Sequence, residues 1–163
     1  MEREWVVEPV DHRQRRIAEA IHAVQMKAYA AEAQLLGVQH FAPLQRTVAD
    51  ILASSEQFTI ACLGERVIGS ISVCPNGDGH DVLIASLVVD PAHWRDGVAS
   101  ELLRRVVQGH GASPLTVCTG ANNEPALALY AQFGFKEHRR WMADGEPLEL
   151  VKLRRPPAAR HAR

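Results

Sequence analysis

Apolar residues recur along this chain with two different periods, and each change of period marks a new element. Trp5-Val6-Val7-Glu8-Pro9-Val10 is a short β-rich run that reads as a first strand. Ile17, Ile21, Val24 and Ala28 then fall on one helical stripe, with Arg13, Arg15, Arg16, Glu19 and Lys27 on the wet side. Asp11 is the expected N-cap, and Gly37 the expected C-cap after Leu36. The segment Val38–Pro43 is a loop of aromatic character, and Leu44, Val48, Ile51 and Leu52 mark a second helix over Leu44–Ser54. Strands are expected at Phe58–Leu63, Val67–Val73 and His80–Val89, with a tight turn at Gly64-Glu65 and a turn-rich loop at Pro75–Gly79.

The most informative stretch is Ile84–Val107. Ile84–Val89 is an apolar, β-branched run of strand length, halted by Asp90-Pro91 because proline brings no donor to a sheet ladder. Val98, Leu102, Leu103, Val106 and Val107 then recur at helical spacing. Further on, Leu115–Thr119 is a strand and Glu124–Phe133 a helix capped by Asn123, with Pro125 in its first turn. Phe135–Met142 and Leu148–Leu153 are the last strands. The order β-α-α-β-β-β-α-β-α-β-β predicts an α/β fold: one mixed sheet with helices on both faces. The crossover from Ile84 to Thr119 makes its two strands parallel. Residues 1–153 form one domain, and 154–163 a disordered basic tail.

Composition narrows the partners. Hydrophobic residues at 47% and charged residues at 23% are ordinary for a globular chain. No apolar run approaches the ~20 residues of a membrane helix. The acidic start MEREWVVEPV lacks the order of a signal peptide, so a cytoplasmic chain without membrane attachment is expected. Arg154–Arg163 holds four of the 18 basic residues and no acid, which leaves 14 basic against 19 acidic residues elsewhere. Such a body gives no electrostatic reason to expect nucleic acid. Cys62, Cys74 and Cys118 are widely spaced in apolar surroundings and read as small buried hydrophobes. No cysteine or histidine spacing suits a metal, so none is expected.

The turn at Trp94–Ala99 delivers a helix N-terminus to the end of a buried strand. Free N–H groups and the positive dipole end there suit a phosphate or pyrophosphate, and Gly97 lets a ligand approach the main chain. Neither a dinucleotide fingerprint nor a P-loop is present.

Two motifs then carry a resemblance. Trp94-Arg95-Asp96-Gly97-Val98-Ala99 is similar to the pattern Gln/Arg-x-x-Gly-x-Gly/Ala, with Trp94 departing from it. Asn123, Ala126, Leu129, Tyr130, Gly134 and Phe135 match every fixed position of Asn-x-x-Ala-x-x-Leu-Tyr-x-x-x-Gly-Phe. Both belong to the GNAT superfamily, the Gcn5-related N-acetyltransferases, which the chain resembles from Trp5 to Leu153.

The resemblance implies acetyl-CoA as co-substrate. Its pantetheine would lie against Leu87, Val88 and Val89 in a cleft where two strands part, and its pyrophosphate over Arg95, Asp96, Gly97, Val98, Ala99 and Ser100. Asn123 would bond near the pantetheine. The main-chain N–H of Val88 would serve the oxyanion and Tyr130 the leaving thiolate as general acid. An aromatic pocket for the acceptor, a small-molecule primary amine, is expected from Tyr29, His40, Phe41, Trp141 and Met142. The base stays open between Asp81, His80, Ser86 through a water chain, and no dedicated group. Arg95 is the expected replacement donor for the missing Gln or Arg. The resemblance also allows a homodimer. A protein or peptide N-acetyltransferase is the near alternative, and an acyl-CoA sensor without transfer the contrasting one.

Overall fold

A computed structural model describes residues 4–75, 80–145 and 147–158. The expected loop at 76–79 and the chain from 159 onward lie outside the described residues. The strands are β1 (Val6–Val10), β2 (Gln57–Leu63), β3 (Arg66–Cys74), β4 (Val82–Val89), β5 (Leu115–Gly120), β6 (Lys136–Met142) and β7 (Glu149–Arg155). The helices are α1 (Arg15–Leu36), α2 (Val48–Ala53), α3 (Val98–His110) and α4 (Glu124–Gln132), with 3₁₀ turns at Ala42–Gln45 and Pro91–His93. Seven strands form one mixed sheet in the order β1-β2-β3-β4-β5-β7-β6. All neighbours are antiparallel except β4 and β5, which the α3 crossover makes parallel.

The two faces are covered separately. Ala18 and Ile21 of α1 and Ile51 of α2 pack on Phe58, Ile60 and Cys62 of β2. On the other face Val98, Leu102, Leu103 and Val106 of α3 join Val82, Ile84, Leu115 and Val117 in the largest cluster, which also takes in Tyr130 and Phe135. The start of α3 is set tightly on β3: a Cβ added to Gly69 would stand 2.9 Å from Val98 Cγ1 and 3.2 Å from the Val88 carbonyl oxygen.

Four boundaries differ from expectation. Asp11 does not cap α1: its carboxylate accepts from Arg13 N at 3.0 Å, and the helix begins at Arg15 behind Gln14, which makes no side-chain cap. The second helix is split, because Pro43 favours a 3₁₀ turn and Thr47 forms a capping box with Asp50 that restarts the chain as α2. His80 and Asp81 precede β4 rather than opening it. Arg154 and Arg155, expected in a tail, instead complete β7 opposite Thr116 and Leu115. Arg155 also donates from Nε to the Phe133 carbonyl at 2.8 Å, so this part of the basic run is structural.

Among the described residues no helix is long and apolar enough to cross a membrane.

Candidate active site

The site is made by a break in the sheet. β4 and β5 pair only through Val82–Leu115, Leu83–Thr116 and Ile84–Val117. At that point β3 and β4 are out of step, for Ser72 faces Ser86 and Val73 faces Ile84, so Ala85 is an extra residue on β4. Such a bulge bends the strand and unpairs it locally. β4 leaves β5, and a cavity of about 340 Å³ opens between them.

The bulge also reverses the parity of β4. Before it, Val82 and Ile84 pack under α3 and Val82 N donates to Pro114 O at 2.8 Å, towards β5. After it, Ser86 meets Ser72 and Val88 packs against Val24 and Ala28 of α1. Asp90 N donates to Ile68 O at 2.8 Å, so by the two-residue period the N–H of Val88 also faces β3. The open edge therefore belongs to Leu87 and Val89. This corrects the expectation that the Val88 N–H faces the cleft: the cleft-side donor is the Leu87 N–H.

The cavity gathers residues from six segments, one of them the β6–β7 hairpin with Ala143, Asp144, Leu148 and Leu150. Tyr29 and Glu32 come from α1 at helical spacing, and Asn123, Ala126 and Tyr130 line one face of the α4 segment. His40 and Phe41 enter from the loop after α1, Ser86 and Leu87 from β4, and Cys118 from β5. Of the expected pocket residues, Tyr29, His40 and Phe41 are therefore brought together with Asn123 and Tyr130. Trp141 is not: the Arg139 guanidinium stacks 4.5 Å from its ring on edge strand β6, and it does not line the cavity. Met142 is 57% exposed and does not line it either. Cys118 was expected buried and is exposed into the opening.

Tyr130 is 4% exposed, with its ring edge-on to Phe135 at 5.3 Å. Burial pushes its phenol well above the ordinary range, and the neighbouring Glu32 and Tyr29 push the same way, so the hydroxyl holds its proton. Burial likewise pushes Tyr29 up to about 12, with Glu32 adding to the rise. Burial raises the Glu32 carboxyl too, opposed by the Asn123 amide, whose Nδ2 donates to Glu32 Oε1 at 3.2 Å. Asn123 uses its own oxygen to cap α4, accepting from Ala126 N at 3.3 Å.

Sequence reasoning missed Glu32. The signal was present: Ile21, Gln25, Ala28 and Glu32 share one helical stripe, and a carboxylate on a buried stripe asks for a reason. Of the candidate bases, Asp81 stands at the closed end of β4 with Arg154 Nε 3.3 Å from its carboxylate. His80 is exposed and precedes the strand. Neither lines the cavity.

Beyond the end of β4 lies the Trp94–Ser100 turn, outside the cavity lining. Asp90 secures it by accepting from Ala92 N at 3.0 Å and meeting Arg66 at 3.1 Å and Lys27 at 3.6 Å. The Ala92 N–H above all holds the Asp90 carboxyl below the usual range, and the two cations overcome its burial in the same direction. Arg95 and Gly97 take left-handed backbone conformations, φ +73° and +85°. Gly97 is the N-cap of α3 and has no side chain to offer, so the first-turn N–H groups are uncapped and open to an anion. Trp94 spends its indole N–H on the Val89 carbonyl at 3.0 Å, so it cannot replace the Gln or Arg donor of the motif. Arg95 is exposed at the same turn.

Residues 12–135 match the acetyltransferase (GNAT) family. The chain belongs to that family. It is similar to the UPF0157 protein YqkA of Bacillus subtilis, 37% identical over 133 residues, covering 81% of this chain and 38% of that protein. The chain thus spans well under half the length of that relative. In fold it is similar to an N-acetyltransferase of Staphylococcus aureus, with TM-score 0.73 and 16% identity over 96% of this chain and 100% of that one. It is equally similar to yncA of Salmonella typhimurium, a putative acetyltransferase solved with its cofactor acetyl-CoA. That TM-score is 0.71, with 16% identity over 98% of each chain.

Among the described residues no group of three or more His, Cys, Asp or Glu could hold a metal ion.

Proposed function

We propose that this protein is an N-acetyltransferase that moves the acetyl group of acetyl-CoA to the primary amine of a small, partly apolar molecule. The observation that carries the reading is the opening between β4 and β5. It exposes an unpaired strand edge and brings the protonated phenol of Tyr130 and the Glu32 carboxylate into one cavity, and the freed strand runs on to an uncapped helix N-terminus.

These features fit acetyl-CoA. The edge at Leu87 and Val89 can take the pantetheine amides as a pseudo-strand, and the N–H groups from Val98 to Ser100 can take the pyrophosphate. When bound, acetyl-CoA supplies the acetyl group as an activated thioester. The chain's own groups do the rest. Glu32 attracts the substrate ammonium into a low-dielectric wall, where its charge acts strongly. Tyr29 and Phe41, edge-to-face at 6.1 Å, give that wall its apolar side and favour an amine on an apolar or aromatic frame. The Leu87 N–H is the donor placed to meet charge developing on the acetyl oxygen. Tyr130 gives its proton to the departing thiolate and recovers one from the amine nitrogen.

The test is release of CoA thiol from acetyl-CoA across a panel holding phenethylamines, polyamines, amino sugars and a tetrapeptide with a free N-terminus. Thiol release that requires an amine, is greatest with a small aromatic amine and falls about 10²- to 10⁴-fold in Tyr130→Phe is the expected result. A preference for the tetrapeptide would reassign the acceptor to a polypeptide. Tight CoA binding with no turnover on any amine would make the domain a sensor.

A further inference from the structure

A second cavity lies on the β1–β2–β3 side of the sheet, and hydrogen bonds from Glu56 through Ser72 to Ser86 lead from its lining to that of the first. It is an open groove of about 540 Å³ between the start of β2, the end of β1 and the end of α3. Glu56 is among its lining residues, and 11% of its side chain is exposed. Both its oxygens are engaged: Ser72 Oγ donates to Oε1 at 2.7 Å, Arg46 meets both oxygens, and Ser54 Oγ donates to Oε2. Ser72 Oγ in turn lies 2.5 Å from Ser86 Oγ, and Ser86 lines the cleft. Ser72 is 0% exposed and Ser86 6%.

The chain has a direction. An ionised carboxylate only accepts, so the single Ser72 proton points to Glu56, and Ser86 must donate to Ser72. Ser86 is thereby left with lone pairs towards the cleft, which Tyr29 also lines. Burial would raise Glu56, but hydrogen bonds from Arg46, Ser54 and Ser72 hold it below the usual range, so it rests ionised and lets go of a proton readily.

From these contacts we infer that Ser86, Ser72 and Glu56 form a relay through the sheet, carrying the surplus proton of the bound substrate ammonium from the cleft to the groove. The inference rests on the acyl-transfer reading above. An ammonium entering at neutral pH carries one proton more than the products retain, so one must leave. The N–H bond breaks with its electron pair staying on nitrogen, and the proton passes to Ser86 Oγ. The proton of Ser86 moves to Ser72 Oγ, that of Ser72 to Glu56 Oε1, and Glu56 releases it to water in the groove. The neutral amine then forms the N–C bond as the C–S bond breaks, and its second proton reaches the thiolate through Tyr130. Ser72 and Glu56 act only through Ser86.

Glu56 is faced by Arg46 from the segment before α2, by Tyr29 from α1 and by Cys74 from β3. Across the groove stand His12, Arg13, Arg105 and His110. None of these lies between Glu56 and Ser72, which are in direct hydrogen-bond contact.

The test follows kcat/KM from pH 6.5 to 10 for the panel amine turned over fastest, in wild type, Ser72→Ala, Ser72→Thr, Glu56→Gln and Glu32→Gln. Ser72→Ala and Glu56→Gln should lose at least tenfold at pH 7 and rejoin the wild type as solution supplies neutral amine. Ser72→Thr, which keeps the hydroxyl, should retain the neutral-pH rate. An indicator dye in single turnover should show proton release slowed with the same variants. A Ser72→Ala deficit that is constant across the pH range, or absent, overturns the relay while leaving the transferase intact. So does a pH-dependent gap found in Glu32→Gln alone. A wild-type protein inactive on every amine overturns both.

Discussion

At the residue scale the site depends on a carboxylate where helix packing alone would place an apolar side chain. Glu32 sits on the stripe of α1 that buries Ile21, Gln25 and Ala28, and burial raises its carboxyl above the usual range despite the Asn123 amide. The sign of the consequence is fixed. A carboxyl whose folded pKa exceeds its unfolded value lowers stability above that window and has no effect below the unfolded value. Glu32→Gln should therefore raise the melting temperature at pH 7 and leave it unchanged near pH 3. In the proposed function the same change removes the partner of the substrate ammonium, a charged hydrogen bond of about 1.5–3 kcal/mol, so KM for a cationic amine should rise roughly 10- to 100-fold. Thermal melts at the two pH values and steady-state kinetics with paired cationic and neutral substrates check both halves. A loss of stability at pH 7 would mean that Glu32 is a structural partner of Asn123 and no more.

At the element scale the decisive feature is one extra residue in β4. Ala85 turns Ser86 towards α1, ends the pairing with β5 and hands the open edge to Leu87 and Val89. The sequence Val82–Val89 reads as an even apolar run, and counting by two along it puts the Val88 N–H on the wrong side. A bulge leaves no mark in such a run, because apolar residues stand on both faces and the sequence shows no alternation to break. The opening has a built-in reporter. Cys118 of β5 is exposed into the cleft, Cys74 is half-buried outside it, and Cys62 is buried. Burial raises the Cys118 thiol, so alkylation should be slow at pH 7 and faster above pH 8.5. Saturating CoA should slow modification of Cys118 by tenfold or more and leave Cys74 unaffected, as read by peptide mass spectrometry. Equal protection of both thiols, or of neither, would place CoA elsewhere.

At the scale of the whole molecule the sheet is two blocks joined at one corner. β1 to β4 form one, β5, β7 and β6 the other, and only the pairs from Val82–Leu115 to Ile84–Val117 tie them in the sheet. The order of elements was legible because strands and helices change period sharply here, and because Asn123 to Phe135 carries its motif in contiguous residues. What joins distant segments was not legible: Glu32 with Tyr130, or Glu56 with Ser86, lie far apart in sequence and meet only through the α1 and β3 packing. The same division predicts how the ligand acts on the fold. A pantetheine arm paired to Leu87 and Val89 becomes a bridge between the blocks, so it binds the native state and not the unfolded chain. At a hundred times its dissociation constant such a ligand adds about 2.7 kcal/mol. For a domain of this size that is a rise of roughly 5–11 °C in melting temperature. Amide exchange should slow most at Leu87, Val89 and the first turn of α3, and little in the β1–β2 pair. A melting temperature unmoved by CoA, or protection spread evenly over both blocks, would remove the bridge and with it the placement of the cofactor.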